Sequence, residues 1–281
     1  DDQEGGGGEV ARHGQAERLQ VSLIGYEVDV PPVDGNVRAH RAEQALEALV
    51  RVDEGRDVRQ VAFIDVGGNV AAHTGAGCIE AAGHHVGDGY SVQANMMLND
   101  KVVPAMAQAY ESSKGDLADR LMAALEAAQA VGGDIRGKQS AAMLIVKAES
   151  TGRPWADRLL ELRIEDHPTP ILELKRLLNV HRGYQHMTAG DVAVEHNDLE
   201  RAMIEYGEAV KLLPDNVEVQ YWAAVTLATN GQLEKALPMF RSVFAADPNW
   251  TELTKRLYKP GIIPDTPEGR ALVEKIVAEA P

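Results

Sequence analysis

The chain has little cysteine, few aromatic residues and fewer basic than acidic side chains. Its one cysteine, Cys78, excludes an intrachain disulfide framework. Only 28 lysines and arginines accompany 43 aspartates and glutamates, a net charge of −15. Because phosphate binding needs clustered basic side chains, this composition argues against a nucleic-acid partner. No apolar run reaches about 18 residues, so no membrane-spanning helix or membrane partner is predicted.

A short pattern of small, aromatic and proline residues is present twice near the C-terminus, offset by 34 residues as in Ala202 and Ala236. The other matching pairs are Tyr206 with Phe240 and Pro214 with Pro248. Small residues allow two helices to approach closely, and proline ends a helix. The period and the residue types resemble the tetratricopeptide repeat, a module for binding peptides or proteins.

Two such repeats, over 181–248, bury too little surface to be stable alone, because about three units are normally needed. Residues 249–281 are therefore expected to cover the open face with two short helices, within 251–257 and 266–280. The predicted C-terminal region is a small all-α repeat domain with a cap.

The segment 41–180 mixes strand and helix patterns. We expect helices over 42–52, 102–112, 116–131 and from 168 to 178, and strands over 58–66, 70–74, 89–97, 140–148 and 159–164. Strands, then helices, then strands again predict a layered α+β domain. Residues 1–40 differ: the first 18 are glycine-rich and acidic and are expected to be disordered, and 19–30 are expected to form one strand.

Several motifs in this segment lie in an order typical of one family. They are Gly55-Arg56-Asp57-Val58-Arg59-Gln60-Val61, Ala72-His73-Thr74-Gly75, Gly83-His84 with Val86 to Met96, Gly133-Asp134 with Arg136-Gly137 and Gln139 to Ala142, and Arg163-Ile164 with Asp166-His167-Pro168. Residues 42–178 thus resemble an uncharacterised bacterial family with an N-terminal-nucleophile (Ntn) hydrolase-like fold, named only as a domain of unknown function. The resemblance implies a layered αββα domain and, in a complete protein, hydrolysis of amide bonds.

Some members of that family end in a segment described as peptidoglycan-binding. Trp250, Leu253, Arg256-Leu257 and Gly261-Ile262-Ile263-Pro264 are similar to it. The resemblance therefore adds peptidoglycan to the peptide or protein partners that the repeats imply. Self-association stays open, and so does the compartment, either the cytoplasm or, if a signal has been lost upstream, the periplasm or exterior.

The N-terminal 40 residues depart from the family. In Ntn enzymes the first residue supplies both the attacking side chain and, through its α-amine, the base. Asp1 cannot act as that nucleophile. Residues 1–40 match none of the strands with which family members begin, which is what translation in a wrong reading frame would produce. We expect the chain as given to be inactive, with a non-enzymatic binding protein that recruits a peptide or cell-wall fragment as the alternative.

The candidate site residues are Asp134, Arg136 and Gln139, on a glycine-flanked loop before a strand, together with Asn95 at a strand end. Arg136 has the geometry to bind a carboxylate, and the Asn95 amide could donate to a developing oxyanion. The alternatives are that Asp134 and Arg136 pair and brace the loop, and that Asn95 caps its strand.

Other constellations carry weaker signals. His73-Thr74 with Cys78 suggests a thiol nucleophile, but a partly buried cysteine beside a turn is the preferred interpretation. His84-His85 with Asp88 has metal-binding residue types, yet adjacent strand residues face opposite sides, which argues against a shared ion. No phosphate-binding loop is present. We therefore expect no cofactor and no metal.

Overall fold

The structure, a computed structural model, describes residues 18–20, 42–65 and 67–281, and the chain divides into two compact units that meet at Lys175 and Arg176. The disorder expected over 1–18 lies outside these residues except at Arg18, which is in a strand, and the strand expected over 19–30 lies outside them after Gln20. Both units together have the mixed helix and strand content of an α+β protein. No helix in the described part of the chain has the length and apolar character needed to cross a membrane.

The described residues of the first unit form three small antiparallel sheets. Its elements are β1 (Arg18–Gln20), α1 (Ala42–Val52), β2 (Gln60–Ile64), β3 (Val70–Thr74), β4 (Gly83–Gly87), β5 (Tyr90–Ala94), α2 (Val102–Ser112), α3 (Leu117–Ala130), β6 (Ala141–Val146), α4 (Pro154–Asp157) and β7 (Arg158–Ile164). The sheets have the strand orders β1-β6-β7, β2-β3 and β4-β5.

Helices cover these sheets. Helix α1 contacts β2 and β3, α2 contacts β4 and β5, and α3 packs against α2 and reaches β6. The core alternates along β5, where Tyr90, Val92 and Ala94 are buried, and it continues through one face each of α2 and α3. This helix-on-sheet packing fits the predicted α+β class.

Helix α3 begins where its sequence predicts. Asp116 accepts a hydrogen bond from the backbone N–H of Asp119, and the Asp119 carboxylate accepts one from the backbone N–H of Asp116. This reciprocal capping box satisfies two N–H groups that a helix start otherwise leaves unpaired. Gly115, with φ of +110°, turns the chain into the cap.

The strand expected over 89–97 is in fact the second half of a hairpin. Strands β4 and β5 pair from Gly83 with Ala94 to Gly87 with Tyr90, and the turn passes through Asp88 and Gly89, where φ is +71°. An Asp-Gly pair favours this tight turn because glycine adopts positive φ without strain. The prediction missed β4 because its residues, Gly-His-His-Val-Gly, lack an apolar alternation.

The second unit is helical. It contains the C-terminal part of α5 (Pro170–Glu195), followed by α6 (Leu199–Leu212), α7 (Val217–Thr229), α8 (Leu233–Ala246), α9 (Asn249–Thr254) and α10 (Pro267–Val277). Helices α6 and α8 have equal lengths of 14 residues, and each ends just before its proline, Pro214 or Pro248. The region over 181–248 is thus helical, as predicted.

The repeated alanine and aromatic positions are buried, whereas Pro214 and Pro248 are exposed. Ala202, Ala236 and Phe240 have no exposed side-chain surface, and Tyr206 is only 4% exposed. Gly190 on α5 lies under the Tyr206 ring, where an added Cβ would come within 2.9 Å of a ring carbon. Small residues therefore allow close helix contact here, as the sequence pattern implied.

Residues 249–281 share a core with α7 and α8. Leu257, Ile263, Val273 and Ile276 are buried in one cluster with Phe240 and its neighbours. The Tyr221 hydroxyl also lies 3.0 Å from the Thr254 hydroxyl oxygen inside this cluster. The C-terminal segment thus covers the apolar surface of the second hairpin.

Candidate functional site

The loop that carries Asp134 and Arg136 is closed by a pair of its own charges. The Arg136 guanidinium donates from Nε to Asp134 Oδ1 at 3.0 Å and from Nη2 to Oδ2 at 2.6 Å, and the Arg136 backbone N–H donates to Oδ1 at 2.8 Å. These hydrogen bonds lower the pKa of the Asp134 carboxyl below its usual value, and the bond from the Arg136 side chain has the largest effect. The geometry matches the alternative in which the two residues brace the loop.

This braced loop lies beside the end of β5. The backbone of Asp134 forms an antiparallel bridge with Met97, and the N–H of Ile135 donates to the Met96 carbonyl at 3.0 Å. Asn95 directly precedes Met96. The structure therefore brings the Asn95 segment and the Asp134–Arg136 loop together, although 39 residues separate Asn95 from Asp134 (134 − 95).

Asn95 and Met96 are both unusual. The side-chain oxygen of Asn95 is buried and accepts no hydrogen bond from the described residues. Met96 has φ of +58°, in the left-handed region that a residue with a side chain rarely adopts. An unpaired buried polar atom and a strained backbone are each costly, and such features concentrate at functional sites.

Gln139 lies away from this contact. Its side chain is exposed, and its backbone carbonyl accepts a hydrogen bond from the His167 N–H at 2.9 Å, just before β6 and after β7. Gln139 therefore joins the ends of two paired strands. Its role at a site stays a prediction.

A second polar cluster links β3 and β4, and it was not predicted as a unit. The Thr74 hydroxyl oxygen lies 2.8 Å from His84 Nδ1, and Gln60 Nε2 donates to the same oxygen at 3.1 Å. In the sequence, Thr74 is adjacent to His73 and His84 is adjacent to His85, so adjacency alone suggests different groupings. The Asp88-Gly89 turn is the sequence signal that could have located His84 beside β3. It indicates that a strand precedes the turn, and that strand is β4.

The histidines do not converge on one ion. His73 Nε2 lies 2.9 Å from the Arg56 carbonyl oxygen, whereas His85 stacks near Tyr90 and lies 3.9 Å from Glu111. Among the residues that the structure describes, no group of three or more His, Cys, Asp or Glu side chains could hold a metal. We therefore assign no metal centre within them.

Thr74 and His84 line an open cleft of about 460 Å³. The rest of its wall is the loop between β3 and β4, including Cys78 and the run from Ile79 to Ala82. Gly75 opens this loop, and an added Cβ there would lie only 2.2 Å from the Asp57 carbonyl oxygen. Only glycine fits that close approach of two backbone segments.

Both polar clusters lie in the part of the chain that resembles known proteins. Residues 37–174 match the model of a family of unknown function, DUF1028. This match supports the family of unknown function to which the motifs over 42–178 pointed. The DUF1028 label itself assigns no reaction.

One similar solved structure is that of protein SPO2555 from Silicibacter pomeroyi, which carries the same DUF1028 label. It is 35% identical over 55% of this chain and 62% of that chain, with a TM-score of 0.44. This chain thus spans less than two thirds of the length of that protein. No curated protein matches the chain.

Proposed function

We propose that the complete protein is an Ntn-type hydrolase of amide bonds. In this proposal the first unit forms part of a layered αββα domain, and Asn95 and the Asp134–Arg136 loop form one wall of the active site. The unpaired oxygen of Asn95 beside the left-handed Met96 is the observation that carries the proposal.

The chemistry assigns each residue a separate task. Amide hydrolysis passes through a tetrahedral intermediate whose oxyanion needs fixed hydrogen-bond donors. The Asn95 side chain carries two amide N–H donors and directly follows the end of β5. The N-terminal nucleophile that the family resemblance implies is not among the described residues, so the proposal concerns only the wall that they form.

Arg136 positions this wall in the proposal and does not bind the substrate. Two of its N–H groups already face Asp134, and its side chain is 51% exposed. A planar guanidinium paired in this way fixes the loop geometry, which in turn fixes the backbone bridge to Met97. The alternative, that Arg136 binds a carboxylate through the same Nε and Nη2 edge, would require this pair to open.

The test separates function from stability at Asn95. Because the buried Asn95 oxygen has no described partner, Asn95→Ala removes a destabilising group and should not lower the melting temperature. The same change should lower amide hydrolysis by the native full-length protein by about 100-fold, the loss expected for one oxyanion donor. The assay is turnover of a panel of acyl p-nitroanilides, with melting followed by circular dichroism.

Asn99→Ala is the matched control. Asn99 Nδ2 donates to the Val131 carbonyl at 2.7 Å, so this change should destabilise the protein by about 1 kcal/mol while leaving the turnover of the folded fraction unchanged. Wild-type turnover by Asn95→Ala would contradict the proposed role, and a large fall in its melting temperature would show that Asn95 acts structurally.

A second candidate function is binding by the helical unit, whose hairpins we propose to be tetratricopeptide-like. One face of α5 favours it, because His181, Tyr184, Gln185 and Thr188 line a shallow cleft of about 390 Å³. Mixed aromatic and polar side chains of this kind suit a peptide or a cell-wall fragment. Co-sedimentation of the full chain with insoluble peptidoglycan, compared with Gln185→Ala, tests this candidate. Equal recovery with and without peptidoglycan would exclude that ligand.

A further inference from the structure

The cleft between β3 and β4 contains a hydroxyl and an imidazole in direct contact, on residues that are not part of the Asn95 wall. Thr74 is the last residue of β3, and His84 is the second residue of β4. The 2.8 Å separation of Thr74 Oγ1 and His84 Nδ1 lies within the range for proton transfer between a nucleophile and a base.

Gln60 holds the Thr74 hydroxyl oxygen in place from the β2 side, with its side-chain nitrogen 3.1 Å away. Its side-chain nitrogen lies 2.9 Å from the Ala94 carbonyl oxygen and 3.2 Å from the Gly83 carbonyl oxygen, which identifies that atom as the amide nitrogen. An amide nitrogen has no free lone pair, so it only donates to Thr74 Oγ1. With the His84 hydrogen on Nε2, Nδ1 accepts the Thr74 hydroxyl hydrogen, and this is the tautomer in which the pair can act as nucleophile and base.

His84 is suited to act as an acceptor near neutral pH. The His84 side chain is largely exposed, but partial burial of its ring, followed by the nearby His73 and His85, lowers the pKa of His84 below its usual value. Because the ring is then neutral, Nδ1 keeps the lone pair that accepts the Thr74 hydrogen.

The cleft wall also provides hydrogen-bond donors. The backbone N–H groups from Ile79 to Ala82 donate to no acceptor in the described part of the chain. Ala81 has φ of +60°, and its carbonyl is held by the Met97 N–H at 3.2 Å. This strained, anchored run of unpaired amides is a ready set of donors for an oxygen that gains negative charge.

We propose that Thr74 and His84 form a nucleophile and base pair that accepts an acyl group from a small ester. Thr74 Oγ1 bonds to the ester carbonyl carbon while its proton moves to His84 Nδ1. The carbon–alkoxide bond then breaks, and the alcohol leaves with that proton. Water, deprotonated by His84, attacks the acyl-threonine, and the proton returns to Thr74 as the acid is released.

This site is independent of the amide hydrolysis proposed above. It uses an internal hydroxyl in place of an N-terminal residue, and it shares no residue with the Asn95 wall. Two results together would establish the ester site whatever the outcome of the amide assay. The acyl group must be found on Thr74, and the Asn95→Ala variant must be acylated at the wild-type rate.

The experiment is acylation of the full chain by p-nitrophenyl acetate and p-nitrophenyl butyrate, with the modified residue located by peptide mass spectrometry. We expect one acyl group on Thr74. Thr74→Val should remove it, and Thr74→Ser, which keeps the hydroxyl, should retain it at the same position. His84→Gln should slow acylation by about 100-fold, the usual contribution of a general base.

Two controls exclude ordinary surface chemistry. Cys78 lines the same cleft and reacts readily with activated esters, so the series is repeated with Cys78→Ala. Thr229→Val is the matched control, because the Thr229 hydroxyl donates to the Val225 carbonyl of its own helix at 2.9 Å and lines neither cleft. Acylation only at Cys78, lysines or other histidines, or an unchanged rate in folded Thr74→Val and His84→Gln, would overturn the proposal.

Discussion

The buried position of Ile263 gives the sharpest test of how the C-terminal segment stabilises the second unit. Ile263 has no exposed side-chain surface, whereas its neighbour Ile262 is 41% exposed. Ile263→Ala removes three carbons at about 0.8 kcal/mol each, and the cavity that remains brings the loss to about 2–5 kcal/mol. Ile262→Ala removes the same atoms from a partly solvated site and should cost less than about 1 kcal/mol.

Urea denaturation followed by tryptophan fluorescence measures both changes. Trp222 and Trp250 pack against the cluster that contains Ile263, and Trp155, 77% exposed in the first unit, is replaced by phenylalanine to remove its signal. With a slope of about 1–3 kcal/mol per molar urea, Ile263→Ala should lower the midpoint by on the order of 1–3 M. Equal midpoints for Ile262→Ala and Ile263→Ala would refute the packing of residues 249–281 on α7 and α8.

Two further predictions concern a turn and a pair of glycines. Hydrogen bonds from the Asn69 side chain and from three backbone N–H groups lower the pKa of Asp65 from 3.8 to about 2. The stability that this carboxylate contributes is complete above about pH 4 and is lost as the pH falls towards 2. Asp65→Asn should therefore flatten the dependence of the melting temperature on pH in that interval, and an unchanged dependence would assign the effect to other groups. Gly207 lies inside α6 with no atom within 4 Å of an added Cβ, whereas at Gly190 the Tyr206 ring is 2.9 Å away. Gly207→Ala should raise the free energy of unfolding by up to about 1 kcal/mol, and Gly190→Ala should not, as measured by urea denaturation. A gain in stability at both positions would show that the Tyr206 ring moves to make room for the added Cβ.

Local sequence signals predicted the helices better than the strands. Helices α6 and α8 were predictable because the same alanine, aromatic and proline pattern occurs twice, 34 residues apart. Helix α3 was predictable because its N-cap residue, Asp116, follows a glycine. Strand β4 was not predictable in this way, because its side chains His84, His85 and Val86 are all exposed and produce no alternating pattern. Packing onto β3 and α2, and not local preference, makes this segment a strand.

The candidate sites show the same limit. The sequence allowed Arg136 either to bind a carboxylate of a substrate or to pair with Asp134. Only the three-dimensional structure shows that Nε and Nη2 of Arg136 face the Asp134 carboxylate. The contact between Thr74 and His84 depends on the path of the loop between them, including the left-handed Ala81. Alanine does not favour the left-handed conformation, so the residue type at position 81 does not predict it. Contacts that depend on such a path are visible only in three dimensions.

The two aromatic residues of the internal repeat have diverged in a way that their burial explains. The Tyr206 hydroxyl reaches Asp191 at 2.5 Å, whereas Phe240 is enclosed by Tyr221 and Phe244 and has no exposed surface. A hydroxyl added at position 240 would be desolvated, at a cost of about 1–3 kcal/mol if it found no partner. A tyrosine is therefore tolerated at position 206, where Asp191 accepts the hydroxyl hydrogen, and is disfavoured at position 240. The C-terminal segment thus restricts which side chains α8 can carry at this position, as well as covering the apolar surface.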